Sequence, residues 1–537
     1  MATDLSFGSV PAFYREVYNI VCPNAEDRVD HDMFVNLLVK SSLPKHTLTQ
    51  IWDAVDSKQG YLTRTGIYTA LALAALAQQG KSVNVKLLES YSDQELPKPC
   101  LGDLADLKAM SMKVRRDRTP NVLGYKFDEL CEFDHVKVEL IPEKKGLILK
   151  HVEYEVTSRR YKSTVLRRYN DFVAFQEIML LRFPYRMIPR LPPKKMMGAD
   201  RKFIEMRRRA LKRFLNLTVR HPILTSDEIV KYFLTFNGSD MQHKIKEHFR
   251  GVPDEFMTNE FALKAKDFVP MDTQLQFGNS RDHAKLLLNS VCKLRDIAER
   301  VVIRATSYAS DMLQLGKELG SLSADSTTVS AWACGNSTTW FQLKKGFKHL
   351  SVEYTGLADK ASTEASRQEE TVVEELNMYL DVLLSYRDLC ERHEKGVLND
   401  HQRALQKMAQ YKKRHMSATV HGPSEATTVE QLEERILRQE NEILNMENRN
   451  YFSLHCVQME SQLVHANMEA LYVALHNMSM EEATAHSELA TVWHHIQPII
   501  RTILDGDVHN GVASNTPKMS PLGSPRSDRS SGLASES

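Results

Sequence analysis

Hydrophobic and polar positions alternate with three different periods along this chain, and the changes of period divide it. Residues 8–90 carry amphipathic stretches at helical spacing, separated by turn signals. Residues 91–124 mix Pro, Gly and charge without sustained periodicity and read as a linker, with a short helix at 101–114. The period then falls to two: residues 132–141, 147–157 and 160–167 alternate, with Phe133, Val136, Val138 and Leu140 and then Val152, Tyr154 and Val156 as apolar positions. Asn170–Arg182 returns to helical spacing, with Phe172, Phe175, Ile178, Met179 and Leu181 apolar, and stops at Pro184. Residues 189–195, Pro-Arg-Leu-Pro-Pro-Lys-Lys, are expected to be extended, because proline fixes φ and disfavours helix at the residue before it. Helices follow near 200–220 and 226–236. An amphipathic connector occupies 239–277.

From residue 256 to residue 504 proline occurs only at 270, 423 and 498. The spans 278–320, 332–415 and 428–497 are therefore expected to be long helices, with a turn at Gly422-Pro423-Ser424. The apolar seam starting at Val429 runs through Leu432, Ile436, Ile443 and Met446, but Gln439, Asn450 and Glu460 interrupt it. A two-stranded coiled coil tolerates few polar seam positions, so antiparallel long helices with changing neighbours fit better. The pattern predicts a multidomain chain: an all-helical start, a middle of three strands plus helices, and a C-terminal half of long helices in a coiled coil or long bundle.

Charge changes the picture locally. The net charge is +1, yet residues 126–236 hold 24 Lys/Arg against 14 Asp/Glu. Such concentration suits a module that meets an anionic surface. Seven scattered cysteines without CxxC spacing argue against a disulfide framework and a zinc site. The first residues show no signal peptide, and the longest apolar run, about Ile67 to Ala77, is too short to span a bilayer. A cytosolic chain that meets membranes from outside is expected. Residues 505–537, rich in Ser, Gly and Pro with Ser520-Pro521 and Ser524-Pro525, read as a disordered tail. No nucleotide-binding, nucleophile-elbow or zinc-protease motif is present, so no catalytic residue, cofactor or metal is assigned. Nucleic-acid binding through the basic helix is a minor reading.

Three stretches carry candidate chemistry. Arg167-Arg168-Tyr169-Asn170-Asp171-Phe172 places guanidinium groups beside an aromatic ring at a strand end. Arginine grips phosphate with parallel N–H bonds, and a ring offers a face to a sugar or inositol. Leu191-Pro192-Pro193-Lys194 and Glu205-Met206-Arg207 follow, the latter heading a basic helix with Phe203, Met206, Ala210, Leu211 and Phe214 on one face. In this order and spacing the segment resembles the phox-homology (PX) domain, a phosphoinositide-binding module of α+β fold covering about 125–238. The resemblance implies that Arg168 holds the 3-phosphate, Tyr169 stacks under the inositol, Lys194 meets the 1-phosphate and Arg207 bonds the 4- and 5-hydroxyls. That set favours phosphatidylinositol 3-phosphate, although Arg208 and Arg209 would also suit a multiply phosphorylated headgroup. Met196 and Met197, between lysines and the basic helix, are candidates for membrane insertion.

Leu43-Pro44-x-x-x-Leu48-x-x-Ile51-Trp52-x-x-x-Asp56, continuing through Gly60-Tyr61-Leu62 into the alanine-rich stretch 70–77, resembles the second half of an EH domain, an EF-hand pair that binds Asn-Pro-Phe peptides. The resemblance covers about 8–90 and makes Leu48 and Trp52 the candidate peptide pocket. Calcium is not expected: Lys58 stands at a ligand position, the loop is one residue short, and Gly66 falls where the bidentate Glu belongs. The helical half, 278–504, is consistent with a BAR domain, three long antiparallel helices that dimerise into a curved bundle. EH-like, PX and BAR segments in series resemble the sorting nexins of the PX–BAR class. The expectation is a peripheral protein of the cytosolic face of early endosomes. It would bind phosphatidylinositol 3-phosphate, form a homodimer or a heterodimer with another sorting nexin, and shape membranes for cargo transport. The alternative is a coiled-coil adaptor that recruits Asn-Pro-Phe partners without acting on curvature. Lys407, Lys412, Lys413 and Arg414 near a tip, and Lys344, Lys345 and Lys348 nearer the middle, are candidate membrane contacts of the bundle.

Overall fold

The computed structural model describes residues 9–22, 28–55, 61–91, 94–104, 106–107, 110–111, 121–141, 152–194, 200–324, 338–420 and 426–503. It divides into two compact units, residues 1–299 with 370–477, and residues 300–369 with 478–537.

The first unit opens on helix α1 (Ala12–Val21), strand β1 (Val29–Asp30), helices α2 (His31–Val39) and α3 (Lys45–Val55), strand β2 (Tyr61–Leu62) and helix α4 (Arg64–Gln78). The two short strands pair antiparallel, Val29 opposite Leu62 and Asp30 opposite Tyr61, and tie two helix–strand–helix halves together. The apolar run from Ile67 lies within α4 and is buried on nearly every side, which is why it carries no amphipathic stripe. It packs on Tyr14, Val17, Phe34, Leu37 and Ile51.

The α+β middle begins with helix α5 (Phe127–Glu132), which ends at the residue where alternation predicts a strand over 132–141 to start. Glu129 accepts the Lys126 N–H at 2.9 Å and caps this turn of helix, so the strand starts only at Val136. Strands β3 (Val136–Leu140), β4 (Glu153–Ser158) and β5 (Ser163–Arg168) form an antiparallel meander. Buried Asp134 braces the β4–β5 turn, accepting from Ser158 Oγ at 2.6 Å and the Arg160 N–H at 2.9 Å. Helices α6 (Tyr169–Arg182), α7 (Arg201–Arg220), α8 (Glu228–Thr235) and α9 (Met241–His248) complete the layer on the sheet. Phe172, Phe175, Phe214 and Phe233 are buried in its core, with Phe175 and Phe233 stacked at 4.3 Å.

The long helices are α10 (Thr273–Ser323), α11 (Thr338–Gln368), α12 (Glu374–Arg392), α13 (Asn399–Val420), α14 (Ala426–Ala466) and α15 (Glu469–Thr502). A wider π-helical turn at His393–Leu398 joins α12 and α13 into one continuous run, and another at Glu369–Val373 precedes α12. Helix α15 continues past Pro498, where the sequence pattern stops, and the Thr502 hydroxyl donates to Pro498 O at 3.0 Å. In the first unit, α13 and α14 run antiparallel, joined by His415–Glu433 and Lys412–Glu440 pairs. In the second unit, Leu350, Leu357, Val492 and Ile496 form the core, and Arg367 holds Glu364, Glu481 and Glu488. Gly316 permits the close approach of two of these helices: a Cβ there would meet Ser351 O at 3.1 Å.

Candidate functional site

Pleating separates the two adjacent arginines of β5. Arg167 points inward and is 1% exposed. Its Nε donates to Phe233 O at 3.0 Å, its Nη2 to Phe236 O at 2.7 Å and its Nη1 to Leu166 O at 2.7 Å. Burial brings its pKa down to about 10. Arg167 therefore closes the end of α8 against the sheet. Arg168 points the other way, its side chain half exposed, and donates from Nε and Nη2 to Glu153 Oε1 at 2.9 and 2.8 Å. Its backbone N–H caps α6 on Asp171 Oδ2 at 2.7 Å. Burial pushes the Asp171 carboxyl up, and this hydrogen bond opposes the shift.

Tyr169 is the first residue of α6, and its hydroxyl donates to Pro192 O. Gln176 Nε2 donates to Pro189 O at 2.6 Å, so two side chains of one helix pin the proline-rich segment that presents exposed Lys194. Arg207, on α7, lies over the Tyr169 ring at 4.7 Å and the Phe203 ring at 4.5 Å. It is buried, and its Nε and Nη2 have no hydrogen-bond partner among the described residues; the buried Tyr154 hydroxyl lies nearby. Burial raises the Tyr154 pKa, opposed by the Arg207 charge. Tyr169, Arg207 and Phe203 thus come together, with Arg168 adjoining Tyr169 in sequence and Lys194 following the pinned segment. Met196 and Met197 lie outside the described residues.

Much of the basic surplus serves the fold instead of a ligand. Arg208 donates to Glu205 at 2.6 Å and to Val138 O at 2.8 Å, and Arg209 donates to the same carboxylate at 3.2 Å. This internal pairing engages both arginines and holds the Glu205 carboxyl below its usual range, through Arg208 first. Arg213 pairs with Glu374 and Asp381, and Arg190 with Asp388. Arg186, 5% exposed, pairs with Glu255 and Glu460. Glu460 also accepts from His221 Nε2 at 3.0 Å and the Met187 N–H at 3.2 Å. Burial opposes its ionisation, yet His221, Arg186 and Met187 hold its pKa below the ordinary value. The polar break at Glu460 in the α14 seam is the seat of this clasp between the sheet domain and the long helices.

In the N-terminal domain, Leu48 and Trp52 are half-buried on α3, while Ile51 between them is fully buried. The Trp52 ring meets His31 at 4.6 Å and Phe34 at 5.3 Å. Trp52 is therefore neither sealed core nor free surface. Residues 56–60, which carry the calcium argument, lie outside the described residues. Among the described residues no group of three or more His, Cys, Asp or Glu could hold a metal ion.

Three family models match the chain: an EH domain over residues 12–98, a PX domain over 155–237, and a sorting nexin 8/Mvp1 BAR domain over 251–505. Human sorting nexin-8 is 52% identical over 387 residues, spanning 72% of this chain and 83% of that one. The chain belongs to the sorting nexins. Sorting nexin mvp1 of Aspergillus oryzae is 30% identical over 66% of this chain and 49% of that protein. The cryo-EM structure of the SNX-BAR Mvp1 tetramer shares the fold with a TM-score of 0.54 at 22% identity, covering 67% of this chain and 99% of that one. A sorting nexin with PX and BAR domains is a peripheral membrane protein of a non-enzymatic adaptor class, acting on membranes and their curvature in sorting. No described helix of this sorting nexin is long and apolar enough to cross a membrane.

Sequence reasoning missed Glu153 and Phe203. Phe203 was legible only as part of an apolar helix face. Glu153 comes into play through strand register, which sets it opposite Arg168.

Proposed function

We propose that this sorting nexin binds phosphatidylinositol 3-phosphate on the cytosolic face of endosomes and, as a BAR dimer without catalytic activity, shapes the membrane for cargo transport. One observation carries the headgroup reading: a buried guanidinium whose Nε and Nη2 meet no acceptor among the described residues, that of Arg207, lies over the ring of Tyr169, the residue next to half-exposed Arg168. Buried donors without acceptors are costly, and the vicinal hydroxyls of an inositol would satisfy them. Arg168 would take the 3-phosphate, Tyr169 the ring face and Lys194 the 1-phosphate. Internal pairing of Arg208 and Arg209 favours a single extra phosphate over several. Met196 and Met197 would enter the acyl boundary beside this site.

Dimerisation is supported by the second unit, which leaves Phe341, Val352, Ile303 and Ile500 exposed on long helices. A second copy, or another sorting nexin, would cover them and multiply weak lipid contacts. Sedimentation with liposomes tests the reading. Wild type should pellet only when the vesicles contain phosphatidylinositol 3-phosphate, Arg168→Ala and Arg207→Ala should stay in the supernatant, and electron micrographs should show tubes. Equal pelleting of all three proteins with any anionic vesicle would refute it, and coated but unremodelled vesicles would favour the adaptor reading. Leu48 and Trp52 would line an Asn-Pro-Phe pocket; absence of binding at millimolar peptide would remove that part.

A further inference from the structure

Glu153 is an unusual residue for the start of a half-buried strand. It is 8% exposed, although carboxylates are rarely this buried without a partner. The partner is Arg168, directly opposite in the β4–β5 register. Both bonds run to one oxygen, Oε1, and both leave from one edge of the guanidinium, Nε and Nη2. Nη1 meets no described acceptor, and the Arg168 side chain is half exposed. Glu153 in turn is fixed by its backbone: its carbonyl accepts the Ile141 N–H at 3.2 Å.

We propose that Glu153 is the positioning residue of the headgroup site, holding the Nε–Nη2 edge of Arg168 from behind so that the Nη1–Nη2 edge is presented to a single phosphate. A guanidinium has two edges able to form paired bonds with an oxyanion. An arginine alone on a strand end samples many rotamers, and ordering it on binding costs entropy. With one edge already held, that ordering precedes the ligand. The same arrangement limits the phosphate to one approach and one edge, which makes Glu153 a selectivity residue as well. This inference rests on the headgroup reading above, since Arg168 must be a phosphate ligand for its orientation to matter.

The test uses the full chain and phosphatidylcholine vesicles containing phosphatidylinositol 3-phosphate, phosphatidylinositol 4-phosphate or neither, with Glu153→Gln, Glu153→Ala and thermal melting of each protein. Gln keeps an acceptor oxygen at the same reach, so E153Q should stay within about threefold of wild type. E153A should lose about tenfold in 3-phosphate binding and most of its preference over the 4-phosphate lipid, with melting unchanged. Tighter binding by E153A would mean that Glu153 competes with the headgroup, and overturns the proposal. Unchanged E153A binding overturns it too, as does a loss with intact preference or one that follows a lowered melting temperature. A wild type indifferent to the 3-phosphate lipid would overturn the headgroup reading and this inference together; the other outcomes leave that reading standing.

Discussion

At the scale of residues, the Arg167–Arg168 pair shows how identical side chains acquire opposite roles. The pleat sends one into the core and the other to the surface, and burial alternates accordingly along the end of β5. Arg167 satisfies carbonyls at the end of α8, that of Phe233 within a buried contact. Arg167→Ala should therefore destabilise the domain by roughly 1–3 kcal/mol, from the acceptors left unpaired, and Arg167→Lys should not restore it, because an ammonium lacks the planar fork. Thermal or urea unfolding measures this; a neutral Arg167→Ala would show that the buried hydrogen bonds contribute little. The arginines were legible in the sequence, but their division of labour followed from strand register alone.

At the scale of elements, the long helices differ from an idealised bundle where histidines are buried. His393 begins the π-helical turn after α12, bonds Ser453 Oγ on α14 at 2.8 Å and meets the Phe277 ring on α10 at 5.0 Å. His455 lies on the face of α14 near Phe268, and its Nδ1 is buried without a partner among the described residues. Both pKa values fall to about 4, chiefly through burial, with Arg186 adding to the shift at His455. The unfolded chain binds these protons near pH 6.5, whereas the folded chain resists them until about pH 4. Stability is full above about pH 6.5 and falls as pH drops toward 4, by on the order of 1–2 kcal/mol per ring at pH 5. Melting temperatures across pH 7 to 5 should decline, and His455→Phe should flatten the decline. A slope unaffected by that substitution would assign it to other groups. The first two long spans were readable from the scarcity of proline, but the π-helical turns were not, nor was the break at Asn467–Met468 within the span 428–497, since these depend on what packs against them.

At the scale of the molecule, the notable feature of the first unit is how it spends its basic charge. Arg186, Arg190 and Arg213 look in sequence like part of a surface for anionic lipid, yet each reaches an acidic residue of the long helices. Glu460 anchors this clasp, 2% exposed and shared by Arg186, His221 and Met187. Removing one member of a buried ionic network leaves the others uncompensated. Glu460→Ala should cost roughly 3–5 kcal/mol and make the PX segment open to protease before the helices unfold. Urea unfolding with limited proteolysis checks it, and a single cooperative transition at the wild-type midpoint would refute it.

The sequence by itself determined the order of the domains, the class of each fold and the residue types of the proposed headgroup site, because periodicity and short motifs are local and survive without coordinates. Tertiary structure decided which arginines remain available. Charge pairing depends on partners far away in the chain: Glu153 answers Arg168 only through strand register, and Glu460 answers Arg186 across 274 positions of sequence. No local pattern encodes such distances. The same formal charge is half exposed on a strand end at Arg168 and a buried fastening to the long helices at Arg186, and distant partners make the difference.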